Sequence, residues 1–242
     1  MPNDHRHKMS RAINTGTKAS ARRGSDSVIT ASSIVVYIHH MDDIDSFIDQ
    51  LAAFPRSAQL ANPYHAAAYR DNLRVYLRKI FAQPGRRVLL VGEALGYRGG
   101  VFTGLPFSSA RLVRESRHPF WQTLRPQLQI NDDLAEATAS IVWEYLAGRR
   151  RIPLCWNALP FHPHLPGQPY SNRAPSAAEL KSGETFMQQL ITAYQPDRIG
   201  AVGGKAAQAI QRALPHQSFR AIRHPSYGGK QDFIQGMDRL LR

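Results

Sequence analysis

Four short apolar runs, each ending at a glycine or a polar residue, alternate along this chain with longer stretches whose apolar residues recur every three or four positions. The runs at 88–91, 152–156, 198–202 and 219–222 are too short for helices and read as strands, buried on both faces as in a parallel sheet. Helical spacing fills the intervals. Residues 41–51 place Ile44, Phe47, Ile48 and Leu51 on one face, with early acids that suit the helix dipole. Residues 65–81 turn Tyr69, Leu73, Tyr76, Leu77 and Ile80 towards a core, and residues 134–147 do the same with Ile141, Val142, Tyr145 and Leu146. A helix opening at Pro106-Phe107-Ser108-Ser109 runs through Leu112, and Trp121 and Trp143 are expected to pack. Ser176 and Glu179 form a capping box at the head of a helix to about Tyr194. Helices over 205–214 and 232–241 complete the series, and 160–175 is a long proline-bearing loop. The alternation predicts an α/β fold, a three-layer α/β/α sandwich around a central, mostly parallel four-stranded sheet.

The first 40 residues break this pattern. His5-Arg6-His7-Lys8 and Arg22-Arg23 stand among Ser, Thr, Asn and Gly with no sustained period, which predicts a basic, disordered tail over 1–40 and a folded domain over 41–242. Residues 32–38 form either a short strand or nothing regular, and Met41 is a candidate translation start. With 242 residues, 43% of them hydrophobic, the chain has material for one sizeable core. A net charge of +13 implies attraction to polyanions through counterion release, which by itself is non-specific. The one cysteine, Cys155, excludes an internal disulfide and a Cys-ligated zinc or iron–sulfur site built from one chain. No apolar stretch approaches the ~18 residues that span a bilayer, and no signal peptide pattern is present. The expectation is a cytoplasmic monomer.

Candidate chemistry gathers where strands end, since ligands of open α/β sheets bind beyond the carboxyl ends of the strands. Gly92-Glu93-Ala94-Leu95-Gly96 follows the first run, Asn157 ends the second, and His224-Pro225-Ser226 follows the fourth. Together with Gly100-Val101-Phe102-Thr103-Gly104, Pro106-Phe107 and Ala201-Val202-Gly203-Gly204-Lys205-Ala206-Ala207, these segments resemble the uracil-DNA glycosylase superfamily over about residues 86–230. The first motif is similar to Gly-Glu-Ala-Pro-Gly of the bacterial and archaeal thermostable branches, with Leu95 in place of the proline. Ala94 stands where the best-known branch carries a water-positioning Asp, and the four iron–sulfur cysteines of one branch are missing.

The resemblance implies a monofunctional glycosylase that hydrolyses the N-glycosidic bond of uracil, or of a related deaminated base, in single- or double-stranded DNA. It would leave an abasic site for base excision repair and need neither metal nor other cofactor. Phe107 would stack on the flipped base, Asn157 would read its edge as donor and acceptor, and Ala94 and Gly96 would complete the base pocket. His224 would donate to the carbonyl oxygen that gains charge as the base leaves. Glu93 would either orient a water or hold its loop through backbone N–H groups. Ser226, Tyr227 and Arg173 would touch DNA, with Tyr227 a wedge candidate. Each residue also has a plainer reading: Phe107 as a core aromatic, Asn157 as a partner for strand-end backbone, His224 as a cap. With Ala94 and Leu95 altering the first motif, a catalytically inactive DNA- or nucleobase-binding protein is the alternative. A Gly-x-Ser-x-Gly elbow for an α/β hydrolase is absent. His162-Pro163-His164 makes a poor metal pair without acids nearby, Gly203-Gly204-Lys205 is an incomplete phosphate loop, and Arg149-Arg150-Arg151 reads as a solvated helix end.

Overall fold

The computed structural model describes residues 43–242. The tail expected over 1–40, the short strand considered at 32–38 and the start at Met41 fall outside the described residues.

The strands are β1 (Leu60–Ala61), β2 (Val88–Ala94), β3 (Leu154–Leu159), β4 (His162–Pro163), β5 (Arg198–Val202) and β6 (Arg220–Ile222). The helices are α1 (43–53), α2 (Ala67–Phe81), α3 (Ala110–Glu115), α4 (Pro119–Leu124), α5 (Ala137–Leu146), α6 (Ala177–Tyr194), α7 (Gly204–Ala213) and α8 (Lys230–Leu241). The central sheet has the order β3-β2-β5-β6, every neighbouring pair parallel, while β1 and β4 form a separate antiparallel pair. The apolar runs are explained by this arrangement: Leu89, Leu90 and Val91 are fully buried because helices cover both faces.

From β2 the chain steps outward to β3, then back across to β5 and on to β6. Right-handed crossovers therefore require the two directions of travel to place their helices on opposite faces. Helix α6 packs on β3 and α7, and α7 on β5 and β2. Helix α1 joins that layer through Phe47, whose ring meets Phe186 edge-on. Helix α8 packs on β5 and β6, and α5 is tied to it by Tyr145, whose hydroxyl donates to Asp238 at 2.8 Å. The fold is thus a three-layer α/β/α sandwich with a parallel central sheet. Among the described residues no helix is long and apolar enough to cross a membrane.

Strand β3 lies at the edge of the sheet, where unpaired backbone groups are exposed to stray pairing. Helix α2 closes that edge with one side chain. The Tyr76 hydroxyl accepts from Cys155 N at 2.8 Å and donates to Cys155 O at 3.3 Å. Tyr76 is fully buried, and burial raises its phenol pKa far above the ordinary value. The neighbouring Cys155 thiol is pushed up to about 12 by burial and stays protonated.

Several boundaries differ from those the periodicity predicts. The helix expected from Pro106 begins at Ala110, because Phe107 adopts a left-handed φ of 49° and Ser109 supplies the cap to Leu112 N. Helix α5 starts at Ala137 rather than 134, capped by the Glu136 side chain. Its buried face includes Ala139 and Trp143, leaving Ile141 and Tyr145 half-buried, and Tyr69 of α2 is also only half-buried. Helix α4, unforeseen, is begun by Pro119 with His118 Nδ1 accepting from Phe120 N. Its Trp121 packs against Trp143 with ring centroids 4.7 Å apart. The capping box at Ser176 and Glu179 is formed as expected.

Candidate functional site

At the carboxyl end of β2 lies a cavity of about 200 Å³. Pockets for drug-sized ligands run to ~300–1,000 Å³, so this one suits a single small ring system. Glu93, Ala94, Gly96, Phe107, Asn157 and His224 all line it. The end of β2 supplies Glu93 and Ala94, the loop after it Gly96, β3 supplies Asn157, and the turn after β6 supplies His224.

Asn157 is the most telling of them. Three asparagines are buried in the described residues. Asn62 donates to Leu51 O and Phe54 O and accepts from Tyr64 N. Asn72 donates to Thr103 O and Gln129 O and accepts from Gln129 N. Both amides are saturated. Asn157 is only 4% exposed, yet its carboxamide has no hydrogen-bond partner among the described residues and faces the cavity. Buried amides are normally satisfied by protein, so an open one awaits a ligand or water. The plainer role, pairing strand-end backbone, does not apply.

Phe107 forms the adjoining wall. The residue holds a left-handed φ of 49°, a conformation that costs about 1–3 kcal/mol in a non-glycine residue and needs outside support. That support is in place: Phe107 O accepts from Trp143 Nε1 at 2.9 Å. On its two sides, Ser108 and Thr103 share a 2.6 Å hydroxyl bond and Ser108 donates to Leu105 O. Tyr64 also donates to Gly104 O. The ring is thereby aimed across Gly92, where it stands beside the Asn157 amide.

His224 is half-buried, and its Nδ1 accepts from Ser226 N at 3.3 Å. An accepting Nδ1 carries no proton, so in the neutral ring the proton sits on Nε2, which becomes the available donor. Burial lowers the pKa of His224; Glu136 opposes the shift and Arg223 adds to it. Glu93 moves the other way. Its carboxylate is half-buried, burial raises its pKa, and Lys205 partly offsets the rise.

Glu136, which the sequence reading did not single out, also lines the cavity. Both of its carboxylate oxygens accept backbone N–H groups at the head of α5, from Thr138 at 2.9 Å and Ala139 at 2.6 Å. Its side chain packs against Gly99 in the loop after β2. The only local signal was an acid just before a helix, which does not distinguish a cap from a site residue.

The other expected DNA-contacting residues are placed differently. Arg173 lines the cavity, but its guanidinium is engaged by both Glu179 oxygens, His164 O, Gln59 O and Ala174 O. Ser226 and Tyr227 lie beyond His224 and outside the cavity lining, with Tyr227 98% exposed at φ 53°. Asn172 joins the lining and accepts from Tyr97 N at 3.0 Å. His162 is spent on structure: its ring nitrogens face Leu95 O at 2.8 Å and Pro169 O at 3.2 Å, bracing the two loops against each other. Arg149 pairs with Asp238 at the far end of the sheet.

A family model described as the uracil DNA glycosylase superfamily matches residues 80–235. No curated protein matches the chain. Among solved structures the chain is similar to the wild-type SMUG2 of Pedobacter heparinus. The two are 14% identical, with 84% of this chain and 96% of that chain covered and a TM-score of 0.60. At that identity the likeness is one of fold.

Proposed function

The chain belongs to the uracil-DNA glycosylase superfamily, and on that premise we propose that it is a monofunctional glycosylase that excises uracil or a related deaminated base from DNA, leaving an abasic site. The catalytic unit is the domain from residue 41 onward, with residues 1–40 a basic appendage. The observation that carries this reading is the unpartnered Asn157 amide, buried beside an aromatic wall in a cavity sized for one ring.

A base enters such a cavity only after leaving the duplex. Phe107 then stacks on its face, while Asn157 donates to a ring carbonyl and accepts from the adjacent ring N–H. When the bond to the sugar breaks, its electron pair moves into the base and negative charge gathers on a carbonyl oxygen. Neutral His224 donates to that oxygen from Nε2. The sugar is left cationic, and the carboxylates of Glu93 and Glu136 supply the opposing negative potential. Water adds to the sugar carbon, and Glu93, whose carboxylate burial makes more basic, takes the released proton.

The test is a gel assay on labelled single- and double-stranded oligonucleotides carrying one uracil, with abasic sites opened by alkali and His224→Ala run beside the wild type. Cleavage that disappears in the variant supports the reading. Intact uracil with cleavage of hypoxanthine, xanthine or mismatched bases redirects the specificity. DNA that is bound while every base stays intact overturns catalysis in favour of a binding protein.

A further inference from the structure

The rim of the cavity carries aromatic side chains for which the reading above has no use. Tyr170 is 70% exposed, yet its ring is not left to wander. It lies 13° from parallel with the ring of half-buried Phe102, centroids 6.3 Å apart. The loop that presents it is braced on both sides. Ser171 Oγ accepts from Leu165 N and donates to Gln168 O, His162 reaches Pro169 O, and Arg173 clamps His164 O to Glu179.

Tyr170 also stands close to the cavity mouth. Asn172, two residues on, lines the cavity and accepts from Tyr97 N, and Tyr97 directly follows Gly96 of the lining. The Tyr97 ring lies beneath the Arg98 guanidinium at 5.5 Å, and Arg98 Nε donates to the Tyr97 hydroxyl at 2.7 Å. The loops beside the cavity therefore bear a backed aromatic ring with an open face, Tyr170, and a cation, Arg98, seated on Tyr97. Aromatic faces interleaved with positive charge are the means by which proteins hold unpaired bases, because every base has a flat π face.

Resting on the glycosylase reading, we propose that Tyr170, backed by Phe102, stacks the unpaired nucleobase next to the flipped one, so that the protein engages two successive bases of the damaged strand. Tyr227, three residues past His224 and 98% exposed, makes no ring contact among the described residues and is not the stacking platform. The site favours single-stranded or locally opened DNA, where that neighbour is free of its partner.

The probe is a labelled single-stranded oligonucleotide with a tetrahydrofuran abasic analogue at the target position, which binds without being cut. Affinity is measured for the wild type, Tyr170→Ala and Tyr170→Phe. It is measured again on oligonucleotides in which the 5′ or 3′ neighbour also lacks its base. Tyr170→Ala is expected to bind roughly tenfold more weakly, and Tyr170→Phe like the wild type. Removing one neighbouring base should weaken the wild type by the same factor and make Tyr170→Ala indistinguishable from it. Equal affinity of Tyr170→Ala and wild type on the first probe, or a loss that persists when either neighbour is removed, overturns the proposal. Failure to cleave any damaged base overturns the glycosylase reading instead, since the binding measurement involves no cleavage.

Discussion

Gly92 and Asn157 are partners in the β2–β3 ladder, and the carboxamide of the second occupies the space that a side chain on the first would need. A Cβ at Gly92 would stand 2.5 Å from Asn157 Oδ1 and 2.6 Å from Phe107 Cζ. The glycine is what lets the aromatic wall and the Asn157 amide come together.

Gly92→Ala must therefore displace one or both of them. Misplacement of a reacting group by about 1 Å is able to remove ~10²-fold in rate, and a loss of that order is expected in single-turnover cleavage. The variant should still melt cooperatively, because the collision is at the cavity and not in the core. A rate equal to wild type would show that neither Asn157 nor Phe107 takes part.

For His224, nitrogen NMR of the imidazole near neutral pH should find Nδ1 unprotonated and the proton on Nε2, as the Ser226 bond requires. His224→Ala should lower the single-turnover rate by ~10²–10³, the usual loss for an electrostatic donor to a developing oxyanion. An Nδ1–H tautomer would leave Nε2 without a proton to give and would sink the assigned role.

Glu93 sets stability against activity. Its pKa is raised in the folded state, so the folded protein holds this proton more firmly than the unfolded chain does. The associated stability is complete below the unfolded value and disappears as pH rises through the folded one. At neutral pH the ionised side chain is thus a burden. Glu93→Gln should melt higher than wild type at pH 7, with the gain shrinking towards pH 4, while cleavage falls by ~10² if the carboxylate accepts the proton from water. Calorimetry at the two pH values, paired with the cleavage assay, checks both halves; a Tm lowered at pH 7 would contradict the first.

Tyr76→Phe separates fold from site in the opposite sense. It strips Cys155 of both backbone partners in a fully buried setting. Unsatisfied buried groups cost about 1–3 kcal/mol, which for a domain of this size lowers Tm by ~2–4 °C per kcal/mol. Thermal melts should register that loss, with cleavage at 25 °C nearly unchanged. A melt coincident with wild type would mean that water replaces the hydroxyl.

Much of this was legible along the chain because parallel strands covered on both faces leave uninterrupted apolar runs, as at Leu89, Leu90 and Val91. The ladder continues past Val91 to Ala94, however, and the polar Glu93 hid that extension. Phe107 was visible as an aromatic after a proline, but its left-handed backbone, which delays α3 to Ala110, depends on a bond from Trp143 far along the chain. Glu136 and the saturation of Arg173 escaped for the same reason. A carboxylate before a helix and an arginine in a loop acquire their roles from partners that only the fold brings near. The contrast between Asn157 and the saturated Asn62 and Asn72 is equally invisible in one dimension, since all three are buried and read alike.

The double bond from Tyr76 to a single residue of β3 has a meaning beyond closing an edge. Side chains alternate along a strand, so a shift of β3 by one position would swing Asn157 away from the cavity and turn the bulk of Trp156 or Ala158 towards it. The same one-position shift would turn the N–H and carbonyl facing Tyr76 to the other side of the strand, so a hydroxyl that grips both groups of Cys155 opposes it. The hydroxyl acts as an index mark two residues upstream of the amide, seconding the ladder with β2 that already holds Asn157 in phase with the rest of the sheet.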